Sequence, residues 1–282
     1  MVVGQYGNMK IGAIIQARFD STRLPGKVLM NLPFDSNETV ISQIVNRLKG
    51  SLNLNEIVIA TSTEENDNVI AEYSYQNVID CVRGDKKDVL GRFVKVINEK
   101  NLDVVVRITG DNPIVLIDVL DKVIDEHVKL GVDYTRNNNL PYGTSFEIIN
   151  SKILLDINNI EDLSLNDREH VTLYVKNNSG MYKINDMNHN VGNLDFRFTI
   201  DYPSDYAFMN ILFQYLRTLN YSYSLKDIMK FVEHHSWLNE INRKNIQKKN
   251  FVSEEEEIKE ACKILEKMDY HLALAKIKKE LL

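Results

Sequence analysis

Apolar positions along this chain fall into two rhythms. Residues 11–15, 56–61 (EIVIAT), 78–82 (VIDCV) and 103–108 (DVVVRI) are short apolar runs with polar borders. They are too short for helices and read as strands buried on both faces. Between them the apolar residues recur at helical spacing. Residues 39–48 place Val40, Ile41, Ile44, Val45 and Leu48 on one side, and 88–100 place Val89, Leu90, Phe93, Val94 and Ile97. Residues 67–75 and 115–130 follow the same rule. Strands alternating with helices in this way predict right-handed βαβ units and a mainly parallel, Rossmann-like sheet. That pattern does not choose among the enzymes that use such a sheet. Further on, a helix is expected to run from about 166 to 175 or beyond. Residues 194–200 (LDFRFTI) alternate as a strand, and 206–219 return to helical spacing. From 239 to 250 the chain turns polar and basic. Ser253 with Glu256 has the form of a capping box, and 254–282 read as helix with a break near Asp269-Tyr270. The expected organisation is an α/β domain over 9–237 and a helical extension over 238–282.

The loop after the first strand carries Arg18, Arg23 and Lys27, with Pro25-Gly26 as its breaker. Ligands of open α/β sheets sit just beyond the carboxyl ends of strands. Cations placed there either meet an anion such as a polyphosphate, gripped by Arg forks and a Lys point charge, or line a solvated surface loop. The loop is not a Walker A motif, because Gly26-Lys27 is followed by Val28 and the upstream glycine is missing. After the fourth strand, Gly110 allows a tight turn and Pro113 keeps its predecessor extended, so Asp111 sits on a short stiff loop. A carboxylate there suits Mg²⁺, which takes one or two carboxylates plus substrate phosphates, or is an ordinary turn residue.

The 282 residues suffice for one large α/β domain with a small appendage. A net charge of -6 argues against a protein bound to bulk nucleic acid or to anionic membrane. Cys81 and Cys262 form neither a disulfide framework nor a zinc pattern, which points to reduced thiols in a cytoplasm. Residues 1–8 lack the form of a signal peptide, Met9 could be an alternative start, and no apolar run is of membrane-spanning length.

The stretch AIIQARFDSTRLPGKVL resembles the opening signature of the cytidylyltransferases that activate sugar acids, the CMP-Kdo and CMP-acylneuraminate synthetases. It is most similar to their SpsF-type, spore-coat-polysaccharide branch. Later blocks resemble the family in the same order: Arg83-Gly84-Asp85 with Asp88-Val89-Leu90-Gly91-Arg92, then Gly110-Asp111-Asn112-Pro113. Pro141-Tyr142-Gly143-Thr144-Ser145-Phe146-Glu147, Arg168-Glu169-His170-Val171-Thr172 and Asp201-Tyr202-Pro203-Ser204-Asp205 follow. The resemblance implies a three-layer α/β/α fold of the nucleotide-diphospho-sugar transferase type. It implies CTP as substrate, a sugar acid such as a Kdo-like or nonulosonic acid as acceptor, loss of pyrophosphate, Mg²⁺, and a possible homodimer. Arg18, Lys27 and Asp111 would be catalytic. Gln16, Ala17, Ser21, Arg23, Thr61 and Arg83 would join them in holding the nucleotide, with Arg92 an alternative to Arg83. Asp111 and Asp201 would share the metal. Tyr142, Glu147, Arg168 and His170 would face the acceptor. Ser145 and Tyr142 depart from the usual Asp and basic residue, which leaves a phosphorylated sugar or polyol open as acceptor. A nucleotide-sugar-dependent glycosyltransferase would be expected to carry an Asp-x-Asp motif, which this chain lacks. A non-catalytic nucleotide-binding relative is the remaining alternative.

Overall fold

The computed structural model describes residues 6–189, 196–219, 223–246 and 254–280. Its first half follows the predicted rhythm: β1 (Ile11–Gln16), α1 (Val40–Leu48), β2 (Glu56–Ser62), α2 (Asn68–Gln76), β3 (Asp80–Gly84), α3 (Val89–Lys100), β4 (Val104–Thr109) and α4 (Ile117–Leu130). β1 lies between β2 and β4 and runs parallel to both. Ile11, Ile14 and Ile15 are fully buried, at about 1.5–3 kcal/mol of burial each. Side chains alternate across the sheet, so Ile11, Ala13 and Ile15 pack on one face with Ile41, Leu120 and Phe208. Ile14 and Val105 pack on the other with Leu90, Phe93 and Leu154. The result is a three-layer α/β/α arrangement.

The second half adds β5 (Tyr134–Asn138), β6 (Glu147–Asn150), α5 (Ser151–Asn158), α6 (Leu165–His170), α7 (Leu173–Asn177), β7 (Ile184–Asn188), α8 (Pro203–Thr218) and α9 (Leu225–His234). Among the described residues the sheet has seven strands in the order β3-β2-β1-β4-β6-β5-β7. β6 is antiparallel to β4 and β5, while β5 and β7 are parallel. The sheet is therefore mixed, though mostly parallel.

Two expectations need correction. Residues 196–200 are buried but form no strand. One isolated bridge joins Arg197 to Tyr142, and the Phe198 and Ile200 amides donate to the carbonyls of Tyr142 (2.7 Å) and Asp111 (2.9 Å). Loop carbonyls have taken the place of a neighbouring strand; residues 194 and 195 of that expectation lie outside the described residues. The expected helix through 166–175 is two helices, because buried Val171 adopts φ 53° between α6 and α7.

The chain divides into two compact units at Lys244/Asn245. The second contains α10 (Glu254–Lys267) and α11 (His271–Glu280), separated where Asp269 takes φ 60°. The expected capping box rests on Ser253, outside the described residues. No helix among the described residues is long and apolar enough to cross a membrane.

Candidate active site

The loop leaving β1 is pinned at several points. The Ala17 amide donates to the Ala60 carbonyl of β2 (3.2 Å). The Phe19 amide donates to Asp67 Oδ1 (2.6 Å), and buried Asp67 also accepts from the Ser62 amide and hydroxyl. Gly26 closes the loop by donating to the Phe19 carbonyl (3.0 Å) at φ 71°, where a side chain would be strained and would press on the Phe19 ring. This closure sends Lys27 inward.

Lys27 is 7% exposed, and its Nζ donates to Asp111 Oδ2 (2.7 Å) and Asp201 Oδ1 (2.9 Å). Two acids 90 positions apart in the chain thus converge on one ammonium at the carboxyl end of β1 and β4. Arg23 also reaches Asp201 Oδ1 (2.9 Å) and lies 4.6 Å from the centre of the Tyr202 ring. Arg197 bridges Asp201 Oδ2 (2.7 Å) and Asp205 Oδ1 (2.9 Å). Fully buried Asp205 accepts the Asp201 and Tyr202 amides (3.0 Å each) at the start of α8, and an Asn242 amide hydrogen (3.1 Å). Lys27, Arg23 and Arg197 therefore balance Asp111, Asp201 and Asp205. Burial alone would lower the Lys27 pKa, but Asp111 and Asp201 outweigh it and hold the ammonium above the ordinary lysine value. Burial would likewise raise Asp201, but Lys27, Arg23 and Arg197 hold it below the usual carboxylate range.

The other positions expected to hold nucleotide are spread around this cluster. Arg18 is only loosely engaged, 3.9 Å from Glu169, and Ser21 is half-buried in the loop. Thr61 is fully buried, and its hydroxyl meets no partner among the described residues. Arg83 spends its guanidinium on the carbonyls of Ser62 (2.8 Å) and Glu64 (3.0 Å), bracing the turn after β2. Arg92 is the reverse case. It is 1% exposed, reaches the Ala60 carbonyl at 3.5 Å, and its Nε meets no partner among the described residues. Burial, together with the nearby Arg18 charge, lowers its pKa to about 10.

The positions expected to face an acceptor divide as well. Tyr142 stacks 4.9 Å from the Arg197 guanidinium, and burial pushes its phenol up to about 12. Gly143 at φ 91° is required there, because a Cβ would lie 2.5 Å from the backbone of Phe198 and Thr199. Glu147 lies on a row of polar side chains crossing the sheet. Gln16 accepts from Arg107 Nε (3.1 Å), and Arg107 pairs in register with Glu147, Glu147 with Arg136, and Arg136 with Asp186. Glu147 also accepts from Lys176 (2.5 Å), the Thr172 hydroxyl (2.9 Å) and the Tyr134 phenol. Burial opposes its charge, but Arg107 and Lys176 hold the carboxyl far below its usual range. Arg168 is taken by Asp88 (3.1 Å) and Asn158 (3.4 Å), and His170 closes α6, half-buried.

No group of three or more His, Cys, Asp or Glu side chains among the described residues could hold a metal by itself. Asp111 and Asp201 form a two-carboxylate set, which suits Mg²⁺ only when substrate oxygens complete its shell.

A family model for cytidylyltransferases matches residues 12–263. The chain belongs to the cytidylyltransferase family. It is 38% identical, over 71% of its length and 85% of the relative's, to the spore coat polysaccharide biosynthesis protein SpsF of Bacillus subtilis. A solved cytidylyltransferase structure from Leptospira borgpetersenii superposes with a TM-score of 0.76 at 26% identity, covering 86% of this chain and all of that one. A CMP-2-keto-3-deoxy-manno-octonic acid synthetase solved with CTP shares the fold, with a TM-score of 0.55 at 13% identity over 73% of this chain and 99% of that one. Nucleotidyl transfer is thus the enzyme class of this cytidylyltransferase.

Sequence reasoning gave no role to Asp67, Arg107, Lys176 or Arg197. Arg107 was legible as a lone cation in the most β-branched run of the chain, where a charge requires a partner. Nothing local marks Asp67 or Arg197, since both act through residues distant in sequence or across a turn.

Proposed function

We propose that this cytidylyltransferase joins the cytidylyl group of CTP to a hydroxyl of a sugar acid, of Kdo-like or nonulosonic type, for the synthesis of a surface polysaccharide or glycan. The acceptor oxygen forms a bond to the α-phosphorus, the bond from that phosphorus to the β-phosphate oxygen breaks, pyrophosphate leaves, and the hydroxyl proton passes to solvent. The observation that carries this reading is Lys27 held between Asp111 and Asp201 at the strand ends of a family member.

The cluster is charge-balanced before substrate arrives. An incoming triphosphate competes with Asp111 and Asp201 for Lys27 and Arg23, whose ammonium and guanidinium then neutralise charge on the departing pyrophosphate. Asp111 and Asp201, released from Lys27, would hold Mg²⁺. When bound, that ion would supply charge neutralisation at the phosphates and orient them. Arg197 and Asp205 keep Asp201 aimed throughout. Arg18, loosely tied to Glu169, is free to reach a phosphate, and Thr61 and Arg92 offer unsatisfied donors beside β2 for the nucleoside. Positioning and charge neutralisation account for the chemistry, as in other phosphoryl-type transfers. We place the reaction in the cytoplasm, in keeping with two free cysteines.

The test is pyrophosphate release with Mg²⁺ from CTP, UTP, ATP and GTP, each against a pool of sugar acids and a pool of sugar phosphates. The expected result is release with CTP and sugar acids alone, reduced at least about 100-fold in Asp111→Asn, the scale of losing one charge-stabilising contact. Release with another nucleotide, or none that depends on an acceptor, refutes the reading.

A further inference from the structure

A cavity of 440 Å³ lies beside the turn that carries Asp111. Thr109 and Asn112 line it and flank Asp111, so it adjoins the Lys27 cluster. Its volume is at the small end for a ligand pocket, about 300–1,000 Å³, and admits one sugar-sized molecule. Arg107, Arg136, Lys176 and Glu147 also line it. Three cations thus face one carboxylate. Asp186 already takes Arg136, so one positive charge is left over. The Thr109 hydroxyl is buried and has no partner among the described residues. Buried donors without partners are rare in folded proteins unless something else satisfies them.

Glu147 explains how the cations are presented. It already accepts from Arg107, Lys176, Tyr134 and Thr172, which leaves it little capacity for a ligand. It acts as a buried clamp that aligns the Arg107 fork and the Lys176 ammonium along one wall.

We propose that this cavity is the acceptor subsite and that Arg107 and Lys176, aligned by Glu147, select the acceptor by its carboxylate. The inference rests on the proposed cytidylyl transfer and deepens it. A carboxylate monoanion matches the single surplus charge, whereas a phosphate dianion would leave the cavity negative beside the triphosphate. A planar carboxylate also suits the planar donors of a guanidinium. Thr109 and Asn112 supply partners for hydroxyls. Glu147 is a positioning residue, and Arg107 and Lys176 lie outside the motif blocks.

The experiment is calorimetric titration of the full chain, free and loaded with CMP and Mg²⁺, with Kdo, N-acetylneuraminate, their neutral alcohol analogues and glucose 1-phosphate. CTP is titrated in parallel. At least one acid is expected to bind at least tenfold tighter than its neutral analogue and than the phosphate. Arg107→Met and Lys176→Met are expected to weaken that acid at least tenfold, and in Lys176→Met CTP affinity stays within twofold. Arg107→Met strips a buried carboxylate of a partner, so Lys176→Met, which leaves Arg107, Tyr134 and Thr172 on Glu147, decides the matter if the first variant unfolds. Tighter binding of the phosphate, equal binding of the neutral analogue, no acid binding in either state, or acid affinity within threefold of wild type in Lys176→Met overturns the proposal. If CTP fails to bind the wild-type chain, the nucleotide reading falls, while the acid titration of the free chain still decides the cavity.

Discussion

Replacing Lys27 with Met isolates the charge at the centre of the cluster. Met keeps most of the aliphatic stem, so little cavity opens, and the change is chiefly electrostatic. Removing one partner of a buried ion pair typically costs about 3–5 kcal/mol. Two features reduce that figure here. Asp201 keeps Arg23 and Arg197, and the Asp111 side chain is 27% exposed and can take up water. A loss of about 1.5–3 kcal/mol at pH 7 is therefore expected. The pH dependence follows from the two shifts. Asp201 has its pKa lowered in the folded chain, so its contribution is present above the unfolded value of about 3.9 and is lost as pH falls through the folded value. Lys27 has its pKa raised, so its contribution is complete below about 10.4 and is lost as pH rises through the folded value. The gap between wild type and variant should stay flat from about pH 5 to 9 and narrow at both ends. Urea unfolding across that range measures it. With Asp111 and Asp201 no longer bridged, added Mg²⁺ should raise the melting temperature of the variant more than that of wild type. Turnover should fall at least about 100-fold. A stability loss under about 0.5 kcal/mol, the level of an ordinary surface change, or a gap that widens as pH falls, would refute the bridge between the two acids.

Glu147→Gln should cost about 2–4 kcal/mol, because it leaves Arg107 and Lys176 without their shared counter-charge while keeping a hydrogen-bonding side chain. The folded carboxyl is held low, so wild type should lose this advantage as pH falls below about 4.3, and thermal melts at pH 7 and pH 4 should show the gap shrinking. Arg92→Met should change stability by less than about 1 kcal/mol, since the buried guanidinium has no carboxylate bonded to it among the described residues, yet weaken CTP binding at least tenfold by calorimetry. A large loss of stability with CTP affinity intact would make Arg92 purely structural.

The parts of the molecule legible in advance share a physical property. β1, β2 and β4 are buried on both faces over most of their length, so their residues are mainly apolar and stand out without knowledge of their neighbours. β5 and β7 are polar on much of their length (YTRNN, INDMN), because one side of each borders a charged row rather than a core. Their strand character comes from pairing with β6 and with each other, which no local pattern encodes. Residues 196–200 show the converse. Their alternation is real and they are buried, but the hydrogen-bond partners are loop carbonyls.

The candidate site divides along the same line. The sequence by itself determined the central βαβ core, the cationic loop with its Pro25-Gly26 breaker, and the motif blocks that carry Asp111 and Asp201, because each depends on a few adjacent residues with fixed conformational needs. Tertiary structure alone decided that both acids share the Lys27 ammonium, that Arg83 braces a turn while Arg92 lies buried with an unpartnered Nε, and that Glu147 clamps Arg107 and Lys176. These are through-space relations set by strand register and by burial. A charge taken out of water must find its counter-charge wherever the fold brings one within reach, however far away it lies along the chain.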